Sequence, residues 1–82
     1  MSKKEKALAR FKSRPRDFSW AELQTLMGIF GFTELSGDGS RRKFFNRATG
    51  RVVILHKRHP DDTLLPYQMK AVREFLEQEG VI

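Results

Sequence analysis

The side chains of this sequence that could do chemistry gather between positions 39 and 59, where seven Lys/Arg and two His occur without a single acid. His56 and His59 are the two groups whose unperturbed pKa falls near neutrality, which suits them to passing a proton at physiological pH. Beside them, Gly39-Ser40-Arg41-Arg42-Lys43-Phe44-Phe45-Asn46 leads two small turn residues into three consecutive cations and an aromatic pair. A guanidinium stays protonated and so serves as no base, but it grips a phosphate through two parallel hydrogen bonds. The chemistry these types permit is an imidazole acting on a ribose 2′-hydroxyl, with Arg41 or Lys43 steadying the charge that develops on phosphorus. Lys57 and Arg58, next to the histidines, extend the same cationic set.

Other chemistries find less support. Cysteine is absent, which removes disulfides, thiolate metal sites and a thiol nucleophile. A three-residue spacing between His56 and His59, with no third ligand clustered near them, is not a metal signature, so neither a metal nor a cofactor is expected. Ser40 has no base at a fixed spacing. Gly37-x-Gly39 lacks the strand-then-helix setting of a nucleotide loop and reads as a turn. Asp61-Asp62 precede a helix and are expected to favour its positive end, and Glu22 is taken up in a helix cap.

The elements that must position these groups follow from periodicity and punctuation. Residues 3–13 form a weak apolar stripe of Ala7, Leu8 and Phe11, read either as a docked helix or as a solvated basic arm, with Pro15 ending it. Ser19 with Glu22 three residues later is a capping box, and Phe18 and Leu23 occupy its staple positions. The helix that follows carries Trp20, Leu23, Met27 and Phe30 on one side and stops at Gly31. Gly28 inside it is expected to permit close packing against a sheet. Phe32–Leu35, Arg41–Asn46 and Arg51–His56 read as three strands joined by the 36–40 loop and a tight Arg47–Gly50 turn. Pro66 suits the first turn of a last helix, with Met69, Val72, Phe75 and Leu76 buried and Gly80 closing it.

A strand alternates its faces, so if Phe44 enters a core, then Arg41, Lys43 and Phe45 point the other way. Arg42 falls on the Phe44 side, at the strand end. Two cations and an aromatic on an open sheet face suit a phosphodiester chain whose bases stack. Val52-Val53-Ile54-Leu55 is apolar on both faces, which points to a partner covering the second one. The expected fold class is α+β: a three-stranded antiparallel sheet with helices on one face, in the order α-β-β-β-α, plus an N-terminal basic helix or arm.

Composition agrees. The 82 residues suffice for one domain, and 39% hydrophobic against 32% charged residues is a globular balance. The net charge of +6 favours a polyanionic partner. Its distribution is uneven: residues 1–16 hold seven Lys/Arg against Glu5 alone, while Glu74, Glu77 and Glu79 gather near the end. A solubilising surface would mix the signs. No apolar run nears the roughly 20 residues that span a bilayer, and the basic start is not followed by a signal-type apolar segment, so the expectation is cytoplasmic with no membrane partner.

Taken in order, the Phe18-Ser19-Trp20 helix start, the Gly31-Phe32 break, the Gly39-Ser40-x-x-x-Phe44 hairpin, the short apolar strand, the His59-Pro60 exit and the final helix resemble the HicA family of bacterial toxin–antitoxin systems. The resemblance covers about residues 18–82, as a HicA-like RNA-binding domain behind a basic N-terminal extension, residues 1–17. It implies a fold like the double-stranded-RNA-binding domain, metal-independent endoribonuclease activity on messenger RNA, and silencing by a HicB-like antitoxin. The family's catalytic histidine commonly follows the Gly-Ser pair, where this chain has Arg41 in a Gly-Ser-Arg-Arg-Lys-Phe form. Either His56 or His59 then takes the catalytic role, or the chain binds RNA without cutting it. On this reading Ser40, Arg41, Arg42, Lys43, Phe45, Lys57 and Arg58 contact RNA. A basic protein that binds DNA or the ribosome through its N-terminal arm is a further alternative.

Overall fold

The computed structural model describes residues 2–82 and shows an α-α-β-β-β-α chain. The elements are α1 (Lys3–Lys12), α2 (Trp20–Ile29), β1 (Phe32–Ser36), β2 (Arg41–Asn46), β3 (Val52–His56) and α3 (Pro66–Gln78). The three strands form one antiparallel sheet in the order β1-β2-β3. This is the expected small α+β domain, with the second strand bounded by the residues anticipated for it.

Local chemistry explains the helix ends. The Ser19 side chain accepts the Glu22 N–H at 3.2 Å and the Glu22 carboxylate accepts the Ser19 N–H at 3.2 Å, so two otherwise unpaired donors are satisfied reciprocally. Gly31, at φ 86°, then turns the chain into β1 in a conformation that costs a side-chain-bearing residue. Pro66 opens α3, and the Gln68 side chain accepts the Leu65 N–H at 2.9 Å. Asp61 does not serve that helix: it lies five positions before Pro66, and its carboxylate closes a turn by accepting the Thr63 N–H at 3.0 Å. That bond holds the Asp61 carboxyl below its ordinary value.

The core lies on one face of the sheet. Phe32, Phe44 and Leu55 point into it and meet Trp20, Leu23, Leu26 and Met27 of α2 and Met69, Val72 and Leu76 of α3. Trp20 and Phe44 rings stand 5.7 Å apart, and the indole N–H donates to Glu34 at 2.8 Å, so the largest core residue leaves no polar atom unpaired. Leu26, outside the expected stripe, is buried too, because α2 is wrapped by α1 as well as by the sheet. Gly28 departs from expectation. A Cβ there would meet nothing within 4 Å and the residue is exposed, so it makes no close approach to the sheet.

Of the two readings of residues 3–13, the docked helix is the one observed. Phe11 is buried, edge-on to Phe18 with ring centroids 5.5 Å apart. Arg10 lies over the Phe18 ring, donates to Asp17 at 2.9 Å and pairs with Glu22, the capping residue of α2. The Arg10 hydrogen bonds hold the Glu22 and Asp17 carboxyls below their ordinary values and push the guanidinium up. No helix among the described residues is long and apolar enough to cross a membrane.

Candidate nucleic-acid interface

With both inner helices on the Phe44 side, the opposite sheet face carries no covering element among the described residues. Alternation places Thr33 and Leu35 of β1, Arg41, Lys43 and Phe45 of β2, and Val52, Ile54 and His56 of β3 on it. The register sets their neighbours. Arg41 lies directly opposite His56, Lys43 between Leu35 and Ile54, and Phe45 between Thr33 and Val52. Directly opposed residues on one face have Cβ atoms about 5 Å apart, so the Arg41 guanidinium and the His56 imidazole can reach one small group together.

The loop before β2 holds Arg41 in place. The Gly37 N–H donates to the Arg41 carbonyl at 2.8 Å, and the Arg41 N–H donates to the Asp38 backbone carbonyl at 3.1 Å. A Cβ on Gly37 would stand 3.2 Å from that carbonyl oxygen and 3.3 Å from the Arg41 Cβ and Cγ. Glycine is therefore what lets the loop lie against the Arg41 stem. At the other strand, the Gln68 amide donates to the His56 carbonyl at 2.9 Å and ties the end of β3 to α3. Gln68 is buried, and sequence reasoning missed it, since a glutamine three residues into a helix reads as surface.

The nine residues singled out from the sequence divide into two groups. Arg41, Lys43, Phe45 and His56 share the open face. Arg42, Lys57, Arg58 and His59 line, with Gly39 and Ser40, a separate concavity of about 290 Å³ at the end of the sheet. Ser40 bridges the groups, its hydroxyl 3.5 Å from the His56 Nδ1. Two of the arginines are partly committed to loop structure: Arg42 donates to the Gly39 and Arg41 carbonyls at 2.9 and 3.0 Å, and Arg58 donates to the Thr63 carbonyl at 2.9 Å. Their remaining donors stay available. Among the described residues, none of the predicted site cations is paired with a carboxylate, whereas Arg51 is bound to Glu79 at 2.8 Å.

The open face is also more apolar than the sequence of β2 suggests. Leu35, Val52 and Ile54 are 46%, 43% and 41% exposed and border a shallow depression of about 290 Å³ around Lys43 and Phe45. Leu35 was the omission here. Its signal was the odd spacing from Phe32, which puts the two on opposite faces of one strand. The face thus has a basic end at Arg41 and His56 and an apolar remainder with Lys43 in its midst.

Residues 20–81 match the protein family described as HicA toxin of bacterial toxin-antitoxin. The chain belongs to the HicA toxin family. No curated protein and no solved structure matches it. As a HicA-family domain it is the toxin element of a toxin–antitoxin system, and an antitoxin is its implied partner. The match takes in both groups of site residues and leaves out α1 and the 13–19 connection.

Proposed function

We propose that this HicA-family chain binds messenger RNA on the open sheet face, cleaves it there without a metal, and is silenced by a HicB-like antitoxin that covers the same face. The observation that carries the reading is the placement of Arg41, Lys43, Phe45 and His56 on one uncovered surface, with Arg41 facing His56 across the strands. The lysine and the arginine hold phosphates while Phe45 stacks against a base. Lys57, Arg58 and the free donors of Arg42 take the neighbouring phosphates in the end concavity.

Since Arg41 cannot accept a proton, His56 is the general base. Its imidazole removes the proton of the 2′-hydroxyl, the oxygen attacks phosphorus, and the bond to the 5′-oxygen breaks. That oxygen leaves with a proton, supplied by His59 or by water. Arg41 neutralises the charge on the phosphorane oxygens. The products are a 2′,3′-cyclic phosphate and a 5′-hydroxyl. The apolar remainder of the face, Leu35, Val52 and Ile54, gives the antitoxin a surface to bury, and occlusion of His56 then suffices for inhibition.

The test is incubation of the purified chain with RNA in excess EDTA. Cutting that leaves cyclic phosphate ends, reduced about a hundredfold or more by His56→Ala, is expected. Cutting that survives replacement of both His56 and His59 overturns the assignment. RNA that is bound but never cut by the unaltered chain turns the reading into a binding module, the role that Arg41 at the usual histidine position favours. Growth arrest on expression of the chain, relieved by a co-expressed HicB-like protein, tests the partner.

A further inference from the structure

A second cationic concavity lies away from the sheet. A groove of about 610 Å³ runs between the 14–16 connection and α3 and shares no lining residue with either concavity at the sheet. Its rim carries Arg14, Arg16, Lys70 and Arg73, and its floor is Leu64 and Met69, with a proline on each side. No acid lines it. Among the described residues, Arg14, Arg16 and Arg73 have no carboxylate partner, and Lys70 has only the exposed Glu74 at 3.9 Å on its own helix.

The groove is held by structure on both sides. Phe11 and Phe18 are buried at either end of the connection, and the Leu64 N–H donates to the Phe18 carbonyl at 2.9 Å. Arg14 itself sits at φ 56°, just past the Ser13 cap of α1, where glycine is the residue of least strain. The chain carries an arginine there instead, and that arginine lines the groove. Three of the four cations have no carboxylate partner and the fourth has only a long contact to Glu74, so an anion entering the groove would relieve their mutual repulsion, while Leu64 and Met69 favour an apolar group between them.

We infer that this groove docks an acidic peptide segment of a partner protein, one that carries a bulky apolar side chain among its carboxylates. Arginine clusters recognise acidic motifs in this way, and the volume suits a few residues of extended chain. A peptide fits better than a nucleic acid because no aromatic lines the groove, and single strands are held by stacking on aromatic rings. Arg14 and Arg16 lie before residue 20, where the family match begins, so half of the groove's cationic rim comes from outside the matched residues. It stands independently of the RNA reading.

The experiment is fluorescence anisotropy of a labelled peptide of Glu and Asp containing one Leu and one Phe, titrated with the full chain. Saturable binding is expected, weakened about tenfold or more by Arg14→Glu with Arg73→Glu, and unchanged by Arg41→Glu with Lys43→Glu. A peptide with Gly in place of Leu and Phe should bind about tenfold more weakly. Circular dichroism reports whether each variant folds, and Arg16→Gln with Lys70→Gln reads the same rim if the first pair does not. Equal binding by the rim variants, equal loss in the sheet-face variant, or more efficient competition by oligouridylate than by unlabelled peptide overturns the proposal.

Discussion

Phe44 and Phe45 are neighbours in one strand and chemically identical, yet they belong to different parts of the protein. Phe44 is 1% exposed and packs on Trp20; Phe45 lies half-buried on the uncovered face, across from Val52. The same division separates Arg42, whose guanidinium caps the preceding loop, from Arg41 and Lys43, which have no partner among the described residues. One side of β2 holds the domain together and the other is left available. Phe45 lies out of the core beside the unpaired cations of the same face, although burying it would have added stability, and that is the surface the proposed RNA contact uses.

The sharpest way to break this comparison is to truncate each ring. Phe44→Ala should cost about 3–5 kcal/mol, enough to abolish folding in a domain of this size, whereas Phe45→Ala should cost about 1 kcal/mol or less and weaken RNA binding. Urea unfolding and RNA titration read the two effects. Equal stability losses would mean that both faces are core.

Next in size is Arg41→Ala with Lys43→Ala. RNA affinity should fall about tenfold or more, and the slope of log affinity against log salt should flatten by about 1.4, the loss of two phosphate contacts on a single strand. An unchanged slope removes the open face from RNA binding.

On the closed side, Arg10→Ala should show a dependence on acid. The Asp17 and Glu22 carboxyls are held below their ordinary values of 3.8 and 4.5 by Arg10, so their contribution is complete above those values and is lost as pH falls through the lowered ones. The variant should therefore unfold at lower urea than the unaltered chain at neutral pH, and the gap should close in acid. A gap that persists in strong acid would assign the loss to Arg10 packing on Phe18 rather than to charge. The smallest effect is a gain. Gly28→Ala should stabilise by about 0.5–1 kcal/mol, since the position is helical, exposed and open around a Cβ.

Periodicity and punctuation are local, and they made much of the fold legible. Ser19 with Glu22, the glycine after α2, the bounds of β2 and Pro66 at the start of α3 could each be read from residues a few positions apart. The alternation that sends Arg41, Lys43 and Phe45 to one face and Phe44 to the other follows from the strand alone. What residues far apart do to each other could not be read that way. That Arg10 clamps the Glu22 already used in a cap, and that Arg51 is tied up by Glu79, needed chain segments brought together from 12 and more positions away.

The same limit governs the candidate site. From the sequence alone came the residue types, a basic stretch without acids, and two imidazoles three positions apart. Only the tertiary structure decided that His56 faces Arg41 on the open sheet while His59 turns into the end concavity with Lys57 and Arg58. The groove of Arg14, Arg16, Lys70 and Arg73 is the extreme case, since its two walls lie more than fifty residues apart in the chain. The physical reason is common to all three. Helix and strand preferences are set by short-range sterics and hydrogen bonding, whereas side-chain neighbours across elements are set by how the buried faces pack.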